Sequence, residues 1–139
     1  MPVIFNVADK PFVFKNKTHL KQWVSSCFKK EHQKLDTLNY IFCSDDYLLN
    51  INKQFLQHDY YTDIITFNLS ELDSKVITGE VYISLDRVKD NAKALGLPVK
   101  QELLRVIIHG ALHLCGYKDN KKQDQKVMRA KEEEYLNLF

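Results

Sequence analysis

The residues best suited to do chemistry in this chain are two histidines and one aspartate near its C-terminal end. They lie in the stretch His109-Gly110-Ala111-Leu112-His113-Leu114-Cys115-Gly116-Tyr117-Lys118-Asp119. Histidines four residues apart stand one turn apart on the same helical face, so both imidazoles can reach one ion at about 2.0 to 2.1 Å. Gly116 can take up the left-handed conformation that ends a helix and turns the chain back, which brings Asp119 toward the same ion. With five histidines in the chain, the pattern of two at this spacing, then Gly, then an acid, arises by chance about once in two thousand such sequences. The competing reading is a pair of satisfied core histidines on an apolar helix.

Two imidazoles and a carboxylate leave a fourth coordination position open, which distinguishes a catalytic zinc site from a closed structural one. The expectation is one Zn2+ per chain on His109, His113 and Asp119, with non-haem iron the less favoured metal for this ligand set. In peptide-hydrolysing zincins the residue after the first histidine is a Glu that acts as general base. Here it is Gly110, which disfavours a protease of that type. Asp63, Glu80 and His58 are the candidate catalytic residues, with Asp59 beside them, because they are the remaining polar groups suited to acid-base work.

Such a helix needs a domain to hold it. The chain has 139 residues, of which 45% are hydrophobic and 12% aromatic, enough for one core. Four Gly, three Pro and no repetitive run leave no candidate linker, so one domain over residues 1–139 is expected. Cys27, Cys43 and Cys115 are odd in number and widely spaced, which suggests neither a disulfide framework nor a thiolate cage and fits a cytoplasmic protein. No signal-peptide pattern and no long apolar run are visible, so no membrane association is expected. The net charge of +2 conceals a basic segment, +5 over 1–34, an acidic one, −7 over 35–86, and basic remainders of +3 over 87–105 and +1 beyond. Charge alone is only weak support for a polyanionic partner.

The elements follow from periodicity. Leu20, Trp23, Val24, Cys27 and Phe28 predict an amphipathic helix over 17–31. Residues 38–43 predict a strand, and Ser44 with Asp45 and Asp46 the capped start of a helix carrying Leu48, Ile51 and Phe55. Residues 62–69 and 76–84 predict a hairpin, with Gly79 marking a bulge or a close backbone approach, the structural bulge in preference to a substrate path along the edge. Ser84 caps a helix that Gly96 and Pro98 end, and 100–115 is apolar on nearly every face, as a helix through the middle of a domain would be. A charged last helix spans about 121–138. This order predicts an α/β (α+β) domain: a small mixed four-stranded sheet packed with about five helices, the central buried one carrying the metal ligands.

These residues resemble the YbeY family of bacterial rRNA maturation endoribonucleases over nearly the whole chain. The family's H-G-x-L-H-L-x-G-Y signature is matched at His109, Gly110, Leu112, His113, Leu114, Gly116 and Tyr117. A second block is similar at Asn52, Phe55, Thr62, Asp63, Ile64, Ile65, Thr66 and Phe67, a third at Gly79, Glu80, Ile83 and Ser84, and a Met-x-x-x-Glu helix at Met128 and Glu132. The resemblance implies an α/β fold with zinc on the long helix and metal-dependent cleavage of single-stranded RNA in 16S rRNA 3′-end maturation and ribosome quality control. It further implies the 16S rRNA precursor and the small ribosomal subunit as partners, with a ribosomal protein or an assembly GTPase directing the enzyme. The chain departs from the family pattern in carrying Asp119 where a third histidine is usual and Lys118 where an Asp is usual. It also has Leu56 where an Arg is common, which removes a planar cation able to hold phosphate bidentately, and His58 for a Lys. The alternatives are a zinc hydrolase of another substrate, such as a peptide, and a non-enzymatic assembly factor that uses zinc for folding.

Overall fold

Between Val76 and Ser84 buried and partly exposed residues alternate until the strand's last two positions are both buried, so this strand covers one helical layer with its Ile77, Gly79, Val81 and Ile83 face. In a computed structural model that describes residues 2–139, the elements run β1 (Val3–Val7), α1 (Lys17–Lys30), β2 (Lys34–Cys43), α2 (Asp45–Leu56), β3 (Ile64–Asn68), β4 (Val76–Ser84), α3 (Leu85–Leu95), α4 (Val99–Leu114) and α5 (Lys122–Leu136). The four strands form one mixed sheet in the order β1-β2-β4-β3. β1, β2 and β4 are parallel, and β3 returns antiparallel on β4 as the edge strand of the expected hairpin.

The main core lies on the face where Leu38, Tyr40, Phe42, Val81 and Ile83 meet α1, α3 and α4, with Met128 and Tyr135 docking α5 from outside. On the other face, α2 covers a smaller cluster built from Cys43, Leu48 and Ile65. Helix α4 is the centre of the first layer: Leu103, Val106, Ile107, Ile108, Gly110, Ala111, Leu112 and Leu114 are all buried. Tyr40 donates its hydroxyl hydrogen to the Ile107 carbonyl at 2.7 Å, which pins the middle of α4 to the sheet.

Helix boundaries follow the predicted caps. Ser44 accepts from the Tyr47 amide and Ser84 from the Arg87 amide, and α3 ends on Gly96 at φ 68°. Two expectations needed correction. Strand β2 begins at Lys34 rather than 38, because a register shift between Leu35 and Thr37 breaks the alternation that marks a strand in sequence. That shift is also the sheet's bulge, so Gly79 is not one. A Cβ on Gly79 would stand 2.7 Å from Leu114 Cδ1, which makes it the point where α4 presses on the sheet.

Candidate metal centre

Helix α4 delivers His109 and His113 on one face, with ring centroids 4.6 Å apart. It then ends in a Schellman turn: the Gly116 amide donates to the His113 carbonyl at 3.0 Å and the Tyr117 amide to Leu112 at 3.1 Å. Gly116 sits at φ 108°, a conformation that a side chain would strain. Two contacts fix the returning segment. Tyr117 donates its hydroxyl hydrogen to Glu31 at 2.6 Å, and Gln125 of α5 donates to the Asp119 carbonyl at 3.0 Å.

The result is a convergence of donor atoms. Asp119 Oδ2 lies 3.4 Å from His109 Nε2 and 3.7 Å from His113 Nε2, and the three groups can place one ligand atom each within 4.8 Å of one another. Two ligands on a tetrahedral zinc at about 2.1 Å are separated by about 3.4 Å, so the spacing fits that ion.

Behind the ligands stands a charged column that the sequence reading left unused. His109 Nδ1 is 2.6 Å from Glu132 Oε2, and Glu132 also accepts from Arg105 at 3.2 Å. Arg105 in turn donates from Nε to Glu102 at 2.9 Å. Both glutamates are buried. Burial pushes the Glu132 carboxyl up, but the His109 hydrogen bond and the Arg105 charge outweigh it and leave the group below its ordinary range. A charged carboxylate at Nδ1 orients the ring and holds a proton on that nitrogen, which leaves Nε2 as the atom turned toward Asp119 and able to ligate a metal. Nε2 faces Asp119 Oδ2 at 3.4 Å, a gap that a metal ion or a second proton on the ring would fill. The sequence signals for this column are Glu132, a residue of the Met-x-x-x-Glu motif, and Glu102 with Arg105, charged residues three apart on an otherwise apolar helix.

Burial holds His113 below its usual pKa, which favours the neutral ligand form. The cluster opens onto a cleft of about 700 Å³ between α4, the end of α2 and β3. Asp63 and His58 both line it. Burial raises the Asp63 carboxyl above its ordinary range despite the nearby Arg105 charge. His58 Nδ1 is 2.9 Å from the Tyr60 hydroxyl, with the two rings stacked.

Glu80 does not join them. Strand alternation puts it on the α2 face of β4, where it accepts a hydrogen bond from Tyr82 at 3.4 Å. Tyr60 lines the cleft and is exposed. Tyr61 lies outside it, under Arg87, and Tyr82 packs edge-on against Phe67 in the smaller core. Gly110 is accounted for as well: a Cβ there would come within 2.9 Å of Val81 Cγ1 and 3.1 Å of Ile64 Cδ1. The position faces the sheet, so no residue placed there could serve the metal as a base.

The family model for "Endoribonuclease YbeY" matches residues 5–139. The chain belongs to the YbeY endoribonuclease family. Endoribonuclease YbeY of Cytophaga hutchinsonii is 48% identical over 98% of this chain and 94% of that protein. The protein of the same name from Porphyromonas gingivalis is 50% identical over 85% of this chain and 77% of its own length. The solution structure of TM1509 from Thermotoga maritima superposes with a TM-score of 0.69 at 32% identity, covering 96% of this chain and 87% of that one. Family membership carries the reading of the fold, an α+β sheet-and-helix domain with a nuclease's name attached to its relatives, onto this chain.

Proposed function

We propose that residues 1–139 form a single zinc-dependent, single-strand-specific endoribonuclease domain that acts in the cytoplasm on the 16S rRNA precursor, in 3′-end maturation and ribosome quality control. The small ribosomal subunit is its setting, with a ribosomal protein or an assembly GTPase as guide. The observation that carries the metal part is the convergence of one ligand atom each from His109, His113 and Asp119 within 4.8 Å of one another, with His109 Nδ1 already committed to Glu132.

His109, His113 and Asp119 would hold one zinc. Bound there, zinc supplies Lewis acidity toward a phosphoryl oxygen and a water acidic enough to ionise near neutral pH. Every other role falls to side chains. Glu132 fixes the tautomer and orientation of His109. Asp63, with its proton affinity raised by burial, exchanges a proton with the reacting oxygen or the departing one. His58 and Tyr60 present a stacked, exposed pair against which an unpaired base can lie. Glu80 has no part in this scheme.

A peptide hydrolase of the zincin type is disfavoured because position 110 is sealed against the sheet. A purely structural zinc is disfavoured because the ligands open onto a cleft. The deciding experiment is metal analysis of protein purified without chelator, followed by cleavage of single-stranded RNA with and without added zinc, using an Asp119→Ala preparation as the control for contaminating nucleases. One zinc per chain and zinc-dependent cutting are expected. Absence of stoichiometric metal, or cutting equal in the control, overturns the proposal. A 2′,3′-cyclic phosphate on the product would show attack by the RNA 2′-hydroxyl, and a 5′-phosphate without it would show attack by water.

A further inference from the structure

An RNA strand crossing the metal cluster needs cations to hold its phosphates, and the larger cleft supplies none that are free. Among its described lining residues the single Lys or Arg is Arg105, and that guanidinium is taken up by Glu102 and Glu132. Leu56, also on that wall, is neutral. The cleft instead offers polar edges and the His58–Tyr60 stack, which suit bases.

A second cleft of about 460 Å³ lies on the other side of the same ligands, sharing His109, Asp119 and Arg105 with the first. Its far wall is α5, which contributes Lys122, Lys126 and Arg129. Spaced at i, i+4 and i+7, these residues form one stripe about 10 Å long. All three are exposed. Among the described residues none of them takes part in an ion pair, although Lys131 on the same helix pairs with both Glu31 and Glu134. Gln125, on the same stripe, holds the Asp119 backbone, and Glu132, one turn beyond Arg129, holds His109. The stripe therefore runs directly up to the ligands, in fixed register with them.

We propose that Lys122, Lys126 and Arg129 form the backbone-gripping subsite of this enzyme: single-stranded RNA lays unpaired bases in the α2/β3 cleft, passes over the metal cluster, and leaves with its phosphates along α5. The inference rests on the ribonuclease reading above. It assigns the electrostatic part of substrate binding to α5 rather than to the residue 56 position, and it separates a base-reading side of the cluster from a phosphate-holding side.

The test compares the zinc-loaded parent with Lys122→Gln/Lys126→Gln/Arg129→Gln in titrations of a labelled single-stranded oligoribonucleotide across a salt series. A second triple, Lys29→Gln/Lys30→Gln/Lys34→Gln, removes the same charge from exposed positions outside both clefts. Each phosphate contact on a single strand contributes about 0.7 to the slope of log affinity against log salt. The α5 triple should therefore lower that slope by about 2, raise KM with kcat retained, and bind zinc as the parent does. The variant Lys122→Arg/Lys126→Arg/Arg129→Lys should keep the parent slope. Binding by the parent with an unchanged slope in the α5 triple, or an equal fall in both triples, overturns the subsite while the ribonuclease reading stands. A zinc-loaded parent that neither binds nor cuts RNA overturns both.

Discussion

Replacing Glu132 by Gln is the sharpest probe of the centre, because it changes charge and donor pattern at nearly constant shape. In the parent, one carboxylate oxygen faces His109 Nδ1 at 2.6 Å and the other faces Arg105 Nη1 at 3.2 Å. Both neighbours are donors. An amide has only one acceptor oxygen, so whichever donor receives it, the other confronts an NH2 group. Arg105 can fall back on Glu102, and His109 Nδ1 has no second partner among the described residues. The loss should therefore fall on the histidine, whose tautomer and orientation are no longer fixed. Removing such an outer partner costs about 10- to 100-fold in metal affinity, or about 1.4 to 2.7 kcal/mol, and the donor clash argues for the upper part of that range. Competition with a chromophoric chelator reads the zinc Kd directly. A thermal melt without metal checks the fold, which should survive because the partly buried guanidinium keeps one carboxylate. Glu102→Gln, one step further from the ligand, should weaken zinc less. If Glu132→Gln binds zinc within twofold of the parent, the column is scaffolding for α4 and α5 and does not position His109.

Asp119→Ala should weaken zinc more than any change behind the ligands, whereas Asp119→His should retain it and move the pH optimum downward, since a neutral ligand leaves the metal's charge less compensated. Equal zinc affinity in Asp119→Ala would reduce that residue to a turn constituent. Gly110→Ala should destabilise by up to about 2 kcal/mol, because overpacking against Val81 and Ile64 at 2.9 and 3.1 Å outweighs the roughly 1 kcal/mol gain in helix propensity; a raised Tm in calorimetry would contradict the contact. Burial raises the Glu31 carboxyl, but hydrogen bonds from Tyr117, Tyr135 and Lys131 overcome this and hold it below the ordinary value of 4.5. A lowered folded-state pKa gives stability that is present above the unfolded value and lost as pH falls through the folded one. Melts between neutral pH and pH 3 should therefore show a Tm that falls below about pH 4.5, and a shallower fall in Glu31→Gln.

What could be read from the sequence was what repeats locally. The i, i+4 histidines, the glycine after them and the Ser44 and Ser84 caps are all set within a few residues, and each appears in the structure as expected. The start of β2 was missed because a bulge interrupts the period of two that identifies a strand. Glu80 was overestimated for a related reason: its strand position was clear, but the face of the sheet that α4 covers is a tertiary fact. Glu132 was visible as a motif residue without a role, since 23 residues separate it from His109 and no local periodicity links them. Gly110 was read as a missing base. The structure gives it a positive function as the flat spot on which α4 meets β3 and β4.

The charges around the centre explain why an aspartate can stand where the family usually has a histidine. With neutral imidazoles, Asp119, Glu132 and Glu102 contribute three negative charges and Arg105 one positive charge. Among these four groups the balance is two negative charges, before the Asp63 carboxyl in the same cleft is counted. Were the third ligand a neutral histidine, a dication there would leave the column with an excess positive charge, which a substrate phosphate could help offset. Asp119 adds one negative charge beside the ion, so a bound centre would draw a polyanion less strongly than one with three neutral ligands. This chain also lacks a cation at Leu56, on the wall where the family commonly has an Arg. Both departures weaken the attraction for phosphate at the cluster, and the three unpaired cations on α5 lie where they can restore it. The substitutions at 56 and 119 and the stripe at 122, 126 and 129 thus form one electrostatic arrangement. Asp119→His should then reduce the dependence of RNA binding on the α5 stripe, so that removing the stripe from the histidine variant costs less affinity than removing it from the parent. Additive losses in that double-mutant cycle would show that the two sites act independently.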